Sequence, residues 1–168
     1  MITSQELLAE LIHEAHTTRR VLERVPNDKL AWTPHAKSMN LGQLALHLAN
    51  LPGAISELAT RPTFDAKIPV PLPNATSVDQ ILSTHDESVA KARKVLAGMD
   101  DEGLRASWSL VNGDQPIMTI QRSSLFRTIM LNHTYHHRGQ LTVYLRQVGA
   151  LVPAIYGASA DETPLAGQ

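Results

Sequence analysis

Proline placement and helical periodicity divide this chain before any residue is given a role. Proline lacks a backbone donor and its ring clashes with the preceding turn, so it ends a helix, kinks it or prevents it. Pro62, Pro69, Pro71 and Pro73 fall within residues 61–74 and rule out an ordinary helix there. On both sides, apolar residues recur at spacings of three and four, the pattern of helices with one buried face.

The first helix is expected over residues 3–25, with Leu8, Ile12, Ala15 and Leu22 inward and Pro26 ending it. Thr3 and Glu6 have capping-box spacing, because each side chain reaches a free N–H of the first turn. Residues 26–39 read as a loop. A second helix is expected over residues 41–59, capped by Asn40 and Gln43, with Leu44, Leu51, Ile55 and Leu58 inward. Pro52 should kink it without ending it, since the periodicity continues beyond. The third helix spans residues 77–97, with Val78, Ile81, Leu82, Val89, Ala92 and Leu96 on one face and Gly98 as C-cap. Residues 104–120 suggest a short hairpin around Asn112-Gly113-Asp114, because Asn-Gly tolerates positive φ. The last helix should run from Arg122 to just before Gly149, and residues 152–168 read as an irregular tail. The expectation is one all-α domain over residues 1–168. It is an antiparallel four-helix bundle with a long crossover and a short hairpin before the last helix, with globin-like packing as the alternative.

Composition narrows the function. The 168 residues carry 15 basic and 16 acidic side chains, a net charge of −1, which argues against nucleic acid as the partner. No apolar run approaches the roughly 18 to 20 residues that span a bilayer, so no membrane partner is expected. The N-terminus lacks a basic segment followed by an apolar one, so no signal peptide is expected, and the absence of cysteine leads to the expectation of a cytoplasmic location. There are eight histidines and no cysteine. A disulfide, a thiolate zinc site and a cysteine nucleophile are therefore excluded.

The histidines carry the strongest signal. At about 100° per residue, His133 and His137 lie only about 40° apart on the last helix, beside Phe126, Ile129, Met130, Leu141, Tyr144 and Val148. One buried histidine is ordinarily a core residue bonded to a neighbour. Two on one apolar face must both be desolvated, and the i,i+4 spacing lets both offer nitrogens to one ion. Thr134 and Tyr135 between them exclude the HExxH protease motif. His47, inward on the second helix, makes a third donor. Three protein ligands leave open coordination positions for water or substrate.

The run Asn132-His-Thr-Tyr-His-His-Arg-Gly-Gln-Leu141, followed by Val143-Tyr144-Leu145-Arg146, resembles the signature helix of DinB-like metal-binding bundles. Residues 30–47 (LAWTPHAKSMNLGQLALH) are similar to that family's entry into its second helix, and residues 152–161 (VPAIYGASAD) to its tail. The resemblance implies a four-helix bundle, commonly a homodimer, with zinc or nickel on His47, His133 and His137. Some members use an external low-molecular-weight thiol, as bacillithiol transferases and mycothiol-dependent maleylpyruvate isomerase do; others are described as metal-dependent hydrolases.

The remaining histidines are assigned lesser roles. Geometry admits His136 through its i,i+3 spacing, but the family pattern favours His137. His16 reads as an edge residue, and His13 and His35 as exposed or in loops. His85 sits at the centre of the third helix's apolar stripe, either as a core residue or as a proton carrier lining the metal cavity. Tyr144 is a candidate donor to a ligand on the metal, against its ordinary reading as a core tyrosine. Arg127, Arg138 and Arg146 are expected on the outer face of the last helix, solvated or at a dimer edge. Hydrolysis needs a general base, and Glu14, Glu57, Asp86 and Glu87 all fall off the apolar stripes. Thiol transfer onto a small-molecule substrate is therefore the favoured expectation, with hydrolysis or non-catalytic, stress-linked binding of metal or small molecules as alternatives.

Overall fold

The structure, a computed structural model, describes residues 2–163. Helix α1 (Ser4–Leu22) begins at the expected capping box of Thr3 and Glu6. Helix α2 (Leu41–Ala59) begins at a second one, of Asn40 and Gln43, and contains Pro52. Strand β1 (Thr63–Asp65) interrupts the proline-rich stretch. Helix α3 (Val78–Ala97), capped by Ser77, is followed by the short α4 (Asp101–Arg105). The expected hairpin is present as β2 (Ser107–Asn112) and β3 (Gln115–Gln121). Gly113, with φ 61°, opens its two-residue loop, where a II′ turn places glycine. The last rod starts as α5 (Arg122–Ser124), passes through a π-helical stretch (Leu125–Asn132) and continues as α6 (His133–Gln147). Of the expected tail, residues 164–168 lie outside the described residues.

The all-α expectation is corrected by a three-stranded sheet in the order β1-β2-β3. β1 pairs in parallel with β2, which pairs antiparallel with β3. The prolines of the crossover exclude a helix, but Thr63, Phe64 and Asp65 between them are free to donate and accept along one edge. Trp108 ties the sheet to the bundle by donating its indole N–H to the Leu58 carbonyl at 3.2 Å.

Two apolar clusters fill the bundle. One gathers Val21, Leu22, Leu44, Leu48, Ile81 and Leu141; the other gathers Leu7, Leu11, Ala59, Leu96, Phe126 and Met130. Along the chain, α1 and the last rod run from the second cluster to the first, whereas α2 and α3 run the opposite way. The bundle is thus up-down-down-up. The parallel α2–α3 pair requires the long crossover, because parallel neighbours cannot be joined by a short turn. Among the described residues, no helix is long and apolar enough to cross a membrane.

Between the clusters lies a polar layer: Glu14, Thr17 and Thr18 of α1, Ser56 of α2, His85 and Ser88 of α3, and Thr134, His137 and Arg138 of α6. Arg138, only 1% exposed, pairs with Glu14 at 2.7 Å and also meets Thr18 Oγ1 and the Tyr156 hydroxyl. It was expected on the outer face. α1 covers that side of the last rod and places Glu10 on Arg127, whereas Arg146 stays exposed, as expected, and pairs with Asp161 of the C-terminal tail. The same layer shifts the inward face of α1 by one residue, to Leu7, Leu11, Glu14 and Thr18, and leaves Ile12 44% exposed.

Pro52 opens the backbone of α2, and α3 repairs it. The Ser88 hydroxyl accepts from the Gly53 N–H at 2.7 Å and donates to the Asn50 carbonyl at 3.0 Å. A Cβ on Gly53 would stand 2.9 Å from both Ser88 Cα and Oγ, so Gly53→Ala should cost about 1–3 kcal/mol by forcing α2 from α3. Gly139 has nothing within 4 Å of its Cβ position, and Gly139→Ala should gain about 0.5–1 kcal/mol. Urea denaturation of both variants measures the contrast; equal midpoints would contradict this packing.

Candidate metal centre

Three histidines meet where α2 faces α6. Ligand-capable nitrogens of His47, His133 and His137 all lie within 4.8 Å of one another. Their ring centroids are 5.4 Å (His47–His133), 4.7 Å (His47–His137) and 4.4 Å (His133–His137) apart. His133 and His137 sit one turn apart on α6, after the π-helical stretch, with their Nε2 atoms 2.7 Å apart. Thr134 Oγ1 returns to the Met130 carbonyl at 2.8 Å across that junction. Such π-helical segments are rare and recur beside functional sites.

Hydrogen bonds fix two of the rings. The Gln140 side-chain amide oxygen, Oε1, lies 2.7 Å from His137 Nδ1, which makes Nδ1–H the donor and leaves a lone pair on the inward Nε2. The His133 ring hydrogen-bonds the Ile129 backbone. Gln140 was not singled out in the sequence, although its i,i+3 offset from His137 marked it as a neighbour.

The pKa values of all three imidazoles are lowered, which favours their neutral form. Burial pushes His137 down to about 4, against the favourable pull of Gln140 and helped by the neighbouring histidines. Burial also lowers His47, together with the charge of His133, and lowers His133, together with that of His136. A metal requires such deprotonated nitrogens, and three of them within reach of one point fit a divalent ion.

The other candidates fall elsewhere. His136 is exposed, its ring centroid 5.0 Å from that of His137, outside the three-nitrogen group. Tyr144 packs edge-on against Trp32 at 5.5 Å, as a core tyrosine does. His85 is buried in a separate depression between α1 and α3, beside His16, Arg19 and Asp86, and does not line the cavity at His47 and His133. His13 and His35 are exposed. Glu14 is inward after all, but Arg138 and Tyr156 engage its carboxylate. Hydrophobic periodicity cannot register a carboxylate buried by its partner.

Comparison with known proteins places the chain among relatives. A sequence profile of the DinB family matches residues 1–164. The uncharacterized protein YrdA of Bacillus subtilis strain 168 is 30% identical over 152 residues, spanning 89% of this chain and 85% of that protein. The crystal structure of a DinB-like protein from Bacillus cereus ATCC 10987 is similar with a TM-score of 0.71 at 24% identity, covering 90% of this chain and 97% of that one. That of the mycothiol-dependent maleylpyruvate isomerase gives 0.53 at 13% identity, covering 91% of this chain and 65% of that one. At these identities the two solved structures speak for the fold.

The lowered histidines set a pH dependence. In the unfolded chain each imidazole takes a proton near its ordinary 6.5, whereas folded His137 resists until about 4. The unfolded state therefore binds more protons between those values, and stability falls as pH falls through them. The thermal midpoint of metal-stripped protein should drop between pH 7 and pH 5, and drop less in His137→Gln. A midpoint insensitive to pH in this window, in both proteins, would contradict the neutral cluster.

Proposed function

The chain belongs to the DinB family, and on that premise we propose that it transfers an external low-molecular-weight thiol onto an electrophile at a divalent ion, zinc or nickel, on His47, His133 and His137. The observation that carries this reading is the donor set, three imidazoles converging beside a cavity lined by two of them. A divalent ion held by three protein ligands keeps positions open and lowers the pKa of a thiol or water placed there.

The chain's own residues supply orientation and dryness. Gln140 holds the His137 ring with its lone pair inward. Leu51, Ile55 and Ile129 wall the cavity beside His47 and His133 and limit competition from water. With no cysteine in the chain, the sulfur must arrive on another molecule. In the transfer a new S–C bond forms, the thiol proton passes to solvent, and a leaving group departs with the electrons of its broken bond to carbon. The fold likeness to a mycothiol-dependent enzyme supports a thiol co-substrate of the mycothiol or bacillithiol kind.

Hydrolysis at the same ion would need a base for the attacking water. Among the described residues no carboxylate lines this cavity, and buried Glu14 is held by Arg138 and Tyr156.

Zinc- or nickel-loaded protein, given monochlorobimane and bacillithiol, mycothiol or glutathione, should accelerate conjugation at least about tenfold over the spontaneous rate. Chelation or His133→Ala should abolish the acceleration. Ester cleavage without thiol would favour the hydrolase, and bound metal without turnover would favour a binding protein.

A further inference from the structure

A cavity of about 440 Å³ opens beside His47 and His133. Leu51, Ala54, Ile55 and Leu58 of α2 form one wall, residues 70–73 of the crossover form another, and α3 closes it. Its polar groups besides the two histidines are uncharged: Asn50, Gln80 and Thr84. Among the described residues, no Asp, Glu, Lys or Arg lines it. The other depressions differ in kind. One holds Lys94 and Arg122, and the one between α1 and α3 holds Arg19, Asp86 and Arg93.

We propose that this cavity selects an uncharged, predominantly apolar electrophile, whose polar function is a neutral carbonyl, amide or hydroxyl and whose apolar end lies against residues 70–73. The identity of that molecule as the electrophile rests on the transferase reading above; the binding preference stands on the lining. A charged ligand entering here would give up hydration with no opposite side chain to replace it. An apolar one gains from every surface it covers, and the amide and hydroxyl side chains of Asn50, Gln80 and Thr84 can engage one neutral polar group. At the mouth, Val70 is 73% exposed and Leu72 43% exposed, so an apolar ligand that reaches them removes their surface from water too. Pro71 and Pro73 limit the conformations from which that wall is built. The volume corresponds to on the order of fifteen waters, room for one ring system or a chain of modest length.

Binding of octanamide, octanoate and octylammonium to the full chain, chelator-treated and zinc-loaded, tests this by calorimetry. Octanamide should bind the metal-free chain at least about tenfold more tightly than either ion. Ala54→Phe, which fills the cavity, should weaken octanamide at least about tenfold while zinc content matches the parent. Thr84→Lys should move the preference toward octanoate. Octanoate binding that appears only with zinc reports carboxylate at the ion and leaves the metal-free ranking to decide. The proposal is overturned if either ion binds the metal-free chain most tightly, or if none of the three binds. Preference for octanamide without thiol conjugation would sink the transferase reading alone; conjugation that favours charged electrophiles would sink this proposal alone.

Discussion

The fold turns on a polar layer that cuts its core in two. All four long rods cross it, and Arg138 is its largest member. Removing a guanidinium from water costs several kcal/mol before any partner is counted. Here Glu14, Thr18 and Tyr156 surround it, so the charge is met on three sides. That demand sets the roll of α6 about its axis. With Arg138 turned toward α1, His133 and His137 are turned toward α2 and meet His47.

A second repair holds the opposite wall. Pro52 breaks the hydrogen-bond ladder of α2 one turn beyond His47, and Ser88 closes the gap from α3. Gly53 lets the two helices approach closely enough for that hydroxyl to reach both backbone groups. The three-histidine cluster is thus framed by two polar contacts between helices, neither of which uses its imidazoles. Beyond the imidazoles the environment changes to aliphatic side chains and uncharged amides, so the histidine cluster and the apolar cavity are neighbours of different chemical character.

Much of this was legible in the sequence. Both capping boxes, the hairpin at Gly113 and the inward placement of His47, His133 and His137 follow from residue type and spacing, and the resemblance to DinB-like bundles implied that the three meet. Three features did not. The buried face of α1 runs through Glu14 and Thr18, because their partner lies on a helix more than a hundred residues away, so a stripe drawn through Leu8 and Ile12 looked better than the real one. Strand β1 is three residues between prolines and exists only because β2 offers it an edge. The π-helical stretch changes the angular step before His133, which a uniform 100° wheel does not anticipate. For the α1 face and β1 the deciding term is a tertiary partner, of which local pattern carries no trace.

On the proposed function, the three imidazoles hold one divalent ion and leave part of its coordination sphere free. X-ray absorption at the metal edge, on protein reconstituted with zinc or nickel, addresses it directly. One ion per chain is expected, with scattering from three imidazole nitrogens, at roughly 2.0–2.1 Å for zinc, and further light-atom ligands that exchange with added thiol for sulfur at a longer distance. Failure to retain stoichiometric metal, or a spectrum unchanged when His47, His133 or His137 is replaced by alanine, would contradict it.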